Sequence, residues 1–173
     1  MDYKTKPLSR ERIRQIGNEF REKISLTRDE PFPVLHVLDK LRDLFNNCGY
    51  DVLEDDEFPF KTMGRTIRRE DGTYSIEIPL SIYNGALKGV GAYRNHICHE
   101  LAHVILFKKG YTPLSECGFE NYELHAYESV EWQAKALCGE LMMPYEATKN
   151  MSVREIVKKF GVSKESARIR LKY

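Results

Sequence analysis

Residues 99–103 read His99-Glu100-Leu101-Ala102-His103, an HExxH pattern inside a run with helical spacing. Tyr93 to Phe107 holds neither Pro nor Gly; Gly91 precedes it, and Gly110 with Pro113 ends it. Ile97, Leu101, Ile105 and Leu106 supply an apolar side. Helix residues four apart share a face, about 5.4 Å apart along the axis. His99 and His103 can therefore reach one tetrahedral zinc ion. Glu100 falls at the rim of such a site, where it can take a proton from water that the ion acidifies. The competing reading is two surface histidines on an ordinary amphipathic helix.

A catalytic zinc site needs a third protein ligand and leaves its fourth position to water. One large protease class uses a histidine six residues past the second, after a Gly. Leu106 and Lys109 occupy those positions and exclude that class. The other common solution is a Glu on a following helix. Asn121 to Met142 reads as that helix, stopped by Pro144, with Tyr127, Val130, Ala134, Leu137, Cys138 and Leu141 as its inner stripe. Glu131 sits beside the stripe, where a carboxylate needs a positive partner to offset burial. Glu128, one turn earlier, is the rival ligand, and a solvated helix-face Glu is the plain alternative.

Three ordered motifs carry a family resemblance. His99-Glu100-Leu101-Ala102-His103 is the first. Glu131-Trp132-Gln133-Ala134-Lys135-Ala136-Leu137-Cys138-Gly139-Glu140-Leu141-Met142-Met143-Pro144 is the second. Gly161-Val162-Ser163 followed by Ala167 and Arg170-Leu171 is the third. Together they resemble the ImmA/IrrE family of metallo-endopeptidases, over most of the chain. The resemblance implies His99, His103 and Glu131 as zinc ligands and Glu100 as catalytic base. It also implies a substrate, a helix-turn-helix transcriptional repressor. Lys135 stands where that family usually has Asn, Leu137 where it has Phe, Cys138 where it has Ala, and Ala102 where it has Gly. Of these, Lys135 bears most directly on the site.

The 173 residues suit one domain with a small appendage. A hydrophobic content of 42% supports a core, and 31% charged residues give a polar surface. A net charge of +1 makes no whole-chain case for nucleic acid or membrane. No apolar run approaches the ~20 residues of a membrane span. The first residues lack an apolar signal segment, so a cytoplasmic protein is expected. Cys48, Cys98, Cys117 and Cys138 form no CxxC pair and read as free thiols. Cys98 points about 100° away from His99 around a helix, which makes it a poor co-ligand.

Leu8 to Ile24 gives an amphipathic first helix, and Leu35 to Phe45 a second, closed by Gly49. Tyr50 to Leu53 reads as a short strand, and the acidic stretch from Asp51 to Glu57 as a solvated loop. Asp71-Gly72 between alternating segments predicts a hairpin. By analogy with zinc proteases, Ser75 to Leu80 is the candidate edge strand that adds a substrate strand, and a plain structural hairpin is the competing reading. Asn84-Gly85 and Gly89-Val90-Gly91 read as loops before the metal helix. Ser152 to Phe160 is a helix with a Ser152/Glu155 capping box, ended by Gly161, and Ser163 caps another to Leu171. This pair looks like a helix-turn-helix. From 151 to 173 there are seven Lys or Arg against two Glu, so it could touch DNA phosphates or simply present a solvated basic face. His96 reads as a helix-start surface residue or spare ligand, and His36 as a surface residue. His125, Tyr122 and Tyr127 are candidate oxyanion stabilisers.

The expected fold is α+β: a small antiparallel or mixed zincin-like sheet packed with helices, plus a C-terminal helical hairpin. Residues 1–148 form the metallopeptidase domain and 149–173 the basic hairpin packed on it or appended to it. The expected function is a zinc-dependent endopeptidase, although the same N and O donors accept other divalent ions. The alternative is a DNA-binding or regulatory module with a non-catalytic metal site.

Overall fold

The computed structural model describes residues 2–114 and 124–173. Helix α1 (Arg10–Lys23) is capped by Ser9 and buries Ile13, Ile16 and Phe20. Then come α2 (Val34–Asp39), α3 (Leu41–Leu44), β1 (Cys48–Leu53), β2 (Arg65–Arg68), β3 (Tyr74–Pro79), α4 (Leu80–Leu87) and α5 (Gly91–Lys108). The chain closes with α6 (Val130–Met142), α7 (Tyr145–Thr148), α8 (Val153–Phe160) and α9 (Lys164–Arg170). This is an α+β fold: among the described residues, a mixed three-stranded sheet packs with nine α-helices.

The sheet order is β1-β3-β2, with β1 parallel and β2 antiparallel to β3. The Asp71-Gly72 turn joins β2 to β3: Gly72 takes φ 80°, and Asp71 accepts from the Thr73 amide and hydroxyl. Since β3 lies in the middle, Ser75 to Leu80 is not an edge, and β2 holds the edge beside α5. Ile76 and Ile78 send their side chains into the core, and Ser75 and Glu77 between them are buried as well, as expected of a strand covered on both sides.

Two further expectations are corrected. The single helix from Leu35 to Phe45 is broken at Lys40 into α2 and α3, and the helix ends at Leu44. Asn47 then takes φ 60° and its carbonyl accepts from Tyr74 N, so Gly49 lies within β1 and stops nothing. Asn84-Gly85 is no loop but the interior of α4. Gly85 is there for contact: a Cβ would lie 1.9 Å from the Tyr93 ring.

Helix α5 runs through the middle, with Ile97, Cys98, Leu101, Ala102, Val104, Ile105 and Leu106 all buried. One hydrophobic core joins α1, α2, β3, α5 and α6 to Ile156, Phe160, Val162 and Ala167 of the C-terminal hairpin. The hairpin is seated tightly: a Cβ on Gly91 would lie 2.6 Å from the Gly161 carbonyl. Arg170, also buried, donates to Glu140 at 2.8 Å. The buried Arg21 guanidinium is shared among the carbonyls of Leu141, Thr27 and Glu30 and ties the 27–30 turn to the end of α6. Burial pulls its pKa down to about 10. No described helix is long and apolar enough to cross a membrane.

Candidate metal centre

The four-residue spacing on α5 sets the His99 and His103 rings edge to face, with centroids 4.6 Å apart. Their Nε2 atoms are 3.2 Å apart. Glu131, in the first turn of α6, faces both: Oε2 is 3.3 Å from His99 Nε2, and Oε1 is 3.3 Å from His103 Nε2.

The start of α6 is fixed from two directions. Ser129 caps it by accepting from Trp132 N. The N-terminal segment pairs across it: Thr5 N donates to Glu128 O, and Val130 N to Tyr3 O. The Asp2 carboxylate accepts from the Glu131 amide at 3.2 Å. This pairing also explains why the helix expected from Asn121 begins only at Val130. The backbone of 127–130 is engaged with residues 3–8, and 126–128 form a short 3-10 turn instead.

Three groups that offer lone pairs converge here, an arrangement that can hold a metal ion. Burial pulls the His99 pKa down, but the Glu131 hydrogen bond and the nearby Glu100 charge outweigh it, and the net shift is upward. Hydrogen bonds from His103 and His99 hold the Glu131 carboxyl well below the usual carboxylate range. The donor set fits a zinc-type ion. A tetrahedron with bonds of about 2.0 Å has edges of about 3.3 Å, and the observed separations are 3.2 to 3.3 Å. Glu131 retains 38% side-chain exposure, so the group opens to solvent on one side.

Glu100 lies beside the group, largely buried. The Thr66 hydroxyl, from edge strand β2, donates to Glu100 Oε2 at 2.8 Å. Gly64 leaves room for that carboxylate, since a Cβ there would lie 3.2 Å from Glu100 Cγ. Thr66 and Gly64 carry no sequence signal that singles them out; only the approach of β2 to α5 does so.

Two cavities meet at the centre, and both are lined by Gly64 and Glu100. One, of about 700 Å³, includes His103, Glu131, Arg65 and Thr66. The other, of about 490 Å³, includes His99 and runs between α1, α6 and α9.

The other described candidates lie outside the converging group. Glu128 is buried and pairs with Lys4 at 3.2 Å, outside the converging group. His125 and Tyr127 are exposed and stack on each other at 5.2 Å, and neither lines the two cavities. Tyr122 and Cys117 lie outside the described residues. His96 is half-buried in the wall of the smaller cavity, and burial lowers its pKa. His36 is exposed. Cys98 is fully buried; its thiol hydrogen-bonds to that of Cys138, which in turn lies 3.5 Å from the Asn95 carbonyl. Neither thiol joins the metal group.

Among solved structures, the fold is similar to a Mycobacterium tuberculosis transcriptional regulator, with a TM-score of 0.53 at 15% identity. The match covers 92% of this chain and 46% of the regulator, so this chain spans about half of that protein's length. No curated protein matches in sequence. The family model Peptidase_M78, described as an IrrE N-terminal-like domain, matches residues 57–172, a span that includes β2, both histidines, Glu100 and Glu131. The chain therefore belongs to this family of metallopeptidases.

Proposed function

We propose that this protein is a zinc-dependent endopeptidase whose substrate is a helix-turn-helix transcriptional repressor. The observation that carries the catalytic part is the convergence of His99, His103 and Glu131 beside a Glu100 held from β2. His99, His103 and Glu131 would hold the ion, which would supply Lewis acidity toward water and the scissile carbonyl. Glu100 takes the proton of the attacking water as it adds to the scissile carbonyl. The same carboxyl then delivers that proton to the leaving amine. Thr66 holds Glu100 at the junction of the two cavities throughout. Edge strand β2 offers unpaired backbone groups along the larger cavity, where an extended substrate can add as a strand. The family resemblance supports a repressor as substrate, and the three buried thiols suit the reducing cytoplasm.

The basic hairpin and the likeness to a transcriptional regulator favour a second reading, a regulatory module that contacts DNA. Against it, Arg170 is buried on Glu140, Lys159 pairs with Asp29, and Arg168 lies within reach of Glu165. One comparison tests both. Wild type and Glu100→Gln, each with measured zinc content, are incubated with helix-turn-helix repressors from neighbouring genes. Cleavage by wild type alone is expected. Equal cleavage by both removes Glu100 from the chemistry. No cleavage, together with DNA binding that survives chelation, moves the assignment to the regulatory module.

A further inference from the structure

The smaller cavity has a chemical character that the hydrolytic centre does not require. Ile13, Met63, Ala136, Met143 and Ile169 give it apolar walls. Four cationic side chains also line it: Arg10, Arg14, Lys135 and Arg170. One carboxylate, Glu140, serves two of these, taking Arg170 at 2.8 Å and Arg14 at 3.6 Å. Arg14 lies over the Tyr145 ring at 3.8 Å, with Arg170 beyond it at 5.5 Å. Those two guanidiniums are committed to the frame that holds α9 against α6.

Arg10 is different. Its guanidinium lies between the Trp132 ring at 5.0 Å and the Tyr173 ring at 4.3 Å. Among the described residues it forms no ion pair with a carboxylate side chain. Stacked faces leave the in-plane N–H groups as the exposed donors, and these match a carboxylate two at a time. Burial pulls the Arg10 pKa down; Tyr173 and Glu140 act against this shift, and Arg170 and Arg14 act with it. Lys135 lines the same cavity and is exposed. It follows Glu131 by four residues on α6, about 6 Å along the axis. An extended chain at about 3.3 Å per residue covers that in about two residues.

We infer that Arg10 and Lys135 form a specificity subsite for an acidic side chain, Asp or Glu, within a few residues of the scissile bond. The apolar walls take the aliphatic residues between. This inference rests on the peptidase reading and refines its substrate to a segment that is apolar near the cut and acidic beyond it.

The test uses the full chain, loaded with zinc, and pairs of quenched fluorescent decapeptide libraries. Each pair differs only in Glu or Gln fixed at one position. Wild type should prefer Glu by about tenfold at one or two adjacent positions on one side of the cut. The ratio should fall to about one in Arg10→Gln and in Lys135→Gln, and Arg10→Glu should favour Lys at the same position. Because the ratio is internal to each protein, a partly unfolded variant does not mimic the result. Equal Glu-to-Gln ratios in wild type and Arg10→Gln would overturn the inference. If no library is cleaved, the peptidase reading fails first. The subsite is then decided by fluorescence anisotropy of labelled Glu and Gln peptides on the Glu100→Gln protein. A Glu preference lost with Arg10→Gln sustains it, and equal binding ends it.

Discussion

Thr66 and Glu100, 34 residues apart in sequence, are joined by a hydrogen bond of 2.8 Å between the Thr66 hydroxyl and Glu100 Oε2. The bond ties the proposed base on the central helix to the edge of the sheet. The bond engages one carboxylate oxygen, so the proposed proton transfer falls to the other. Thr66→Val should therefore lower kcat by about tenfold with little change in KM, the signature of a contact that matters in the transition state. Thr66→Ser, which keeps the hydroxyl, should recover most of the rate. Equal rates in Val and Ser variants would show that the bond has no part in turnover.

Glu131 and Glu128 lie one turn of chain apart but face different partners: the two imidazoles and Lys4, respectively. Bound zinc, measured by elemental analysis after dialysis, should fall below one tenth of stoichiometric in Glu131→Ala, an estimate of about tenfold or more in affinity. Glu128→Ala should retain its metal. The reverse pattern would remove Glu131 from the ligand set.

The pH dependence of metal binding follows from the opposed shifts of His99 and Glu131. His99 is raised above its ordinary 6.5, so without metal its protonated form contributes stability that is complete below pH 6.5 and lost as pH rises through the raised value. Glu131 is lowered from 4.5, so its contribution is present above pH 4.5 and lost only well into acid. A metal ion must displace the His99 proton. Apparent zinc affinity, measured by competition with a chromogenic chelator, should climb by up to about tenfold per pH unit from pH 6 toward 8. The thermal shift that zinc produces should grow over the same window. A flat profile would mean that no histidine proton is released.

Gly91 opens α5 where a Cβ would meet the Gly161 carbonyl and the Val162 and Ser163 backbone. Since these are backbone atoms, they cannot yield by a rotamer change. Gly91→Ala should cost about 1–3 kcal/mol, read as a lower urea midpoint. An unchanged midpoint would show that the hairpin does not need to sit against α5.

The sequence by itself determined the local features. Four-residue spacing on one helix brought His99 and His103 to one face, because helical periodicity is a property of the chain alone. The Asp71-Gly72 turn and the Ser152/Glu155 capping box were legible for the same reason: each is closed by hydrogen bonds within a few residues. Tertiary structure decided what depends on distant partners. The start of α6 is set by pairing with residues 3–8, so residues 124–129, which the helical pattern from Asn121 included, lie outside the helix. The order β1-β3-β2 made β3 central and gave the open edge to β2, an outcome of packing that alternation within one strand does not encode. Thr66 beside Glu100 and Arg10 between Trp132 and Tyr173 belong to the same class. Each exists only where separate elements meet, and no local pattern marks it.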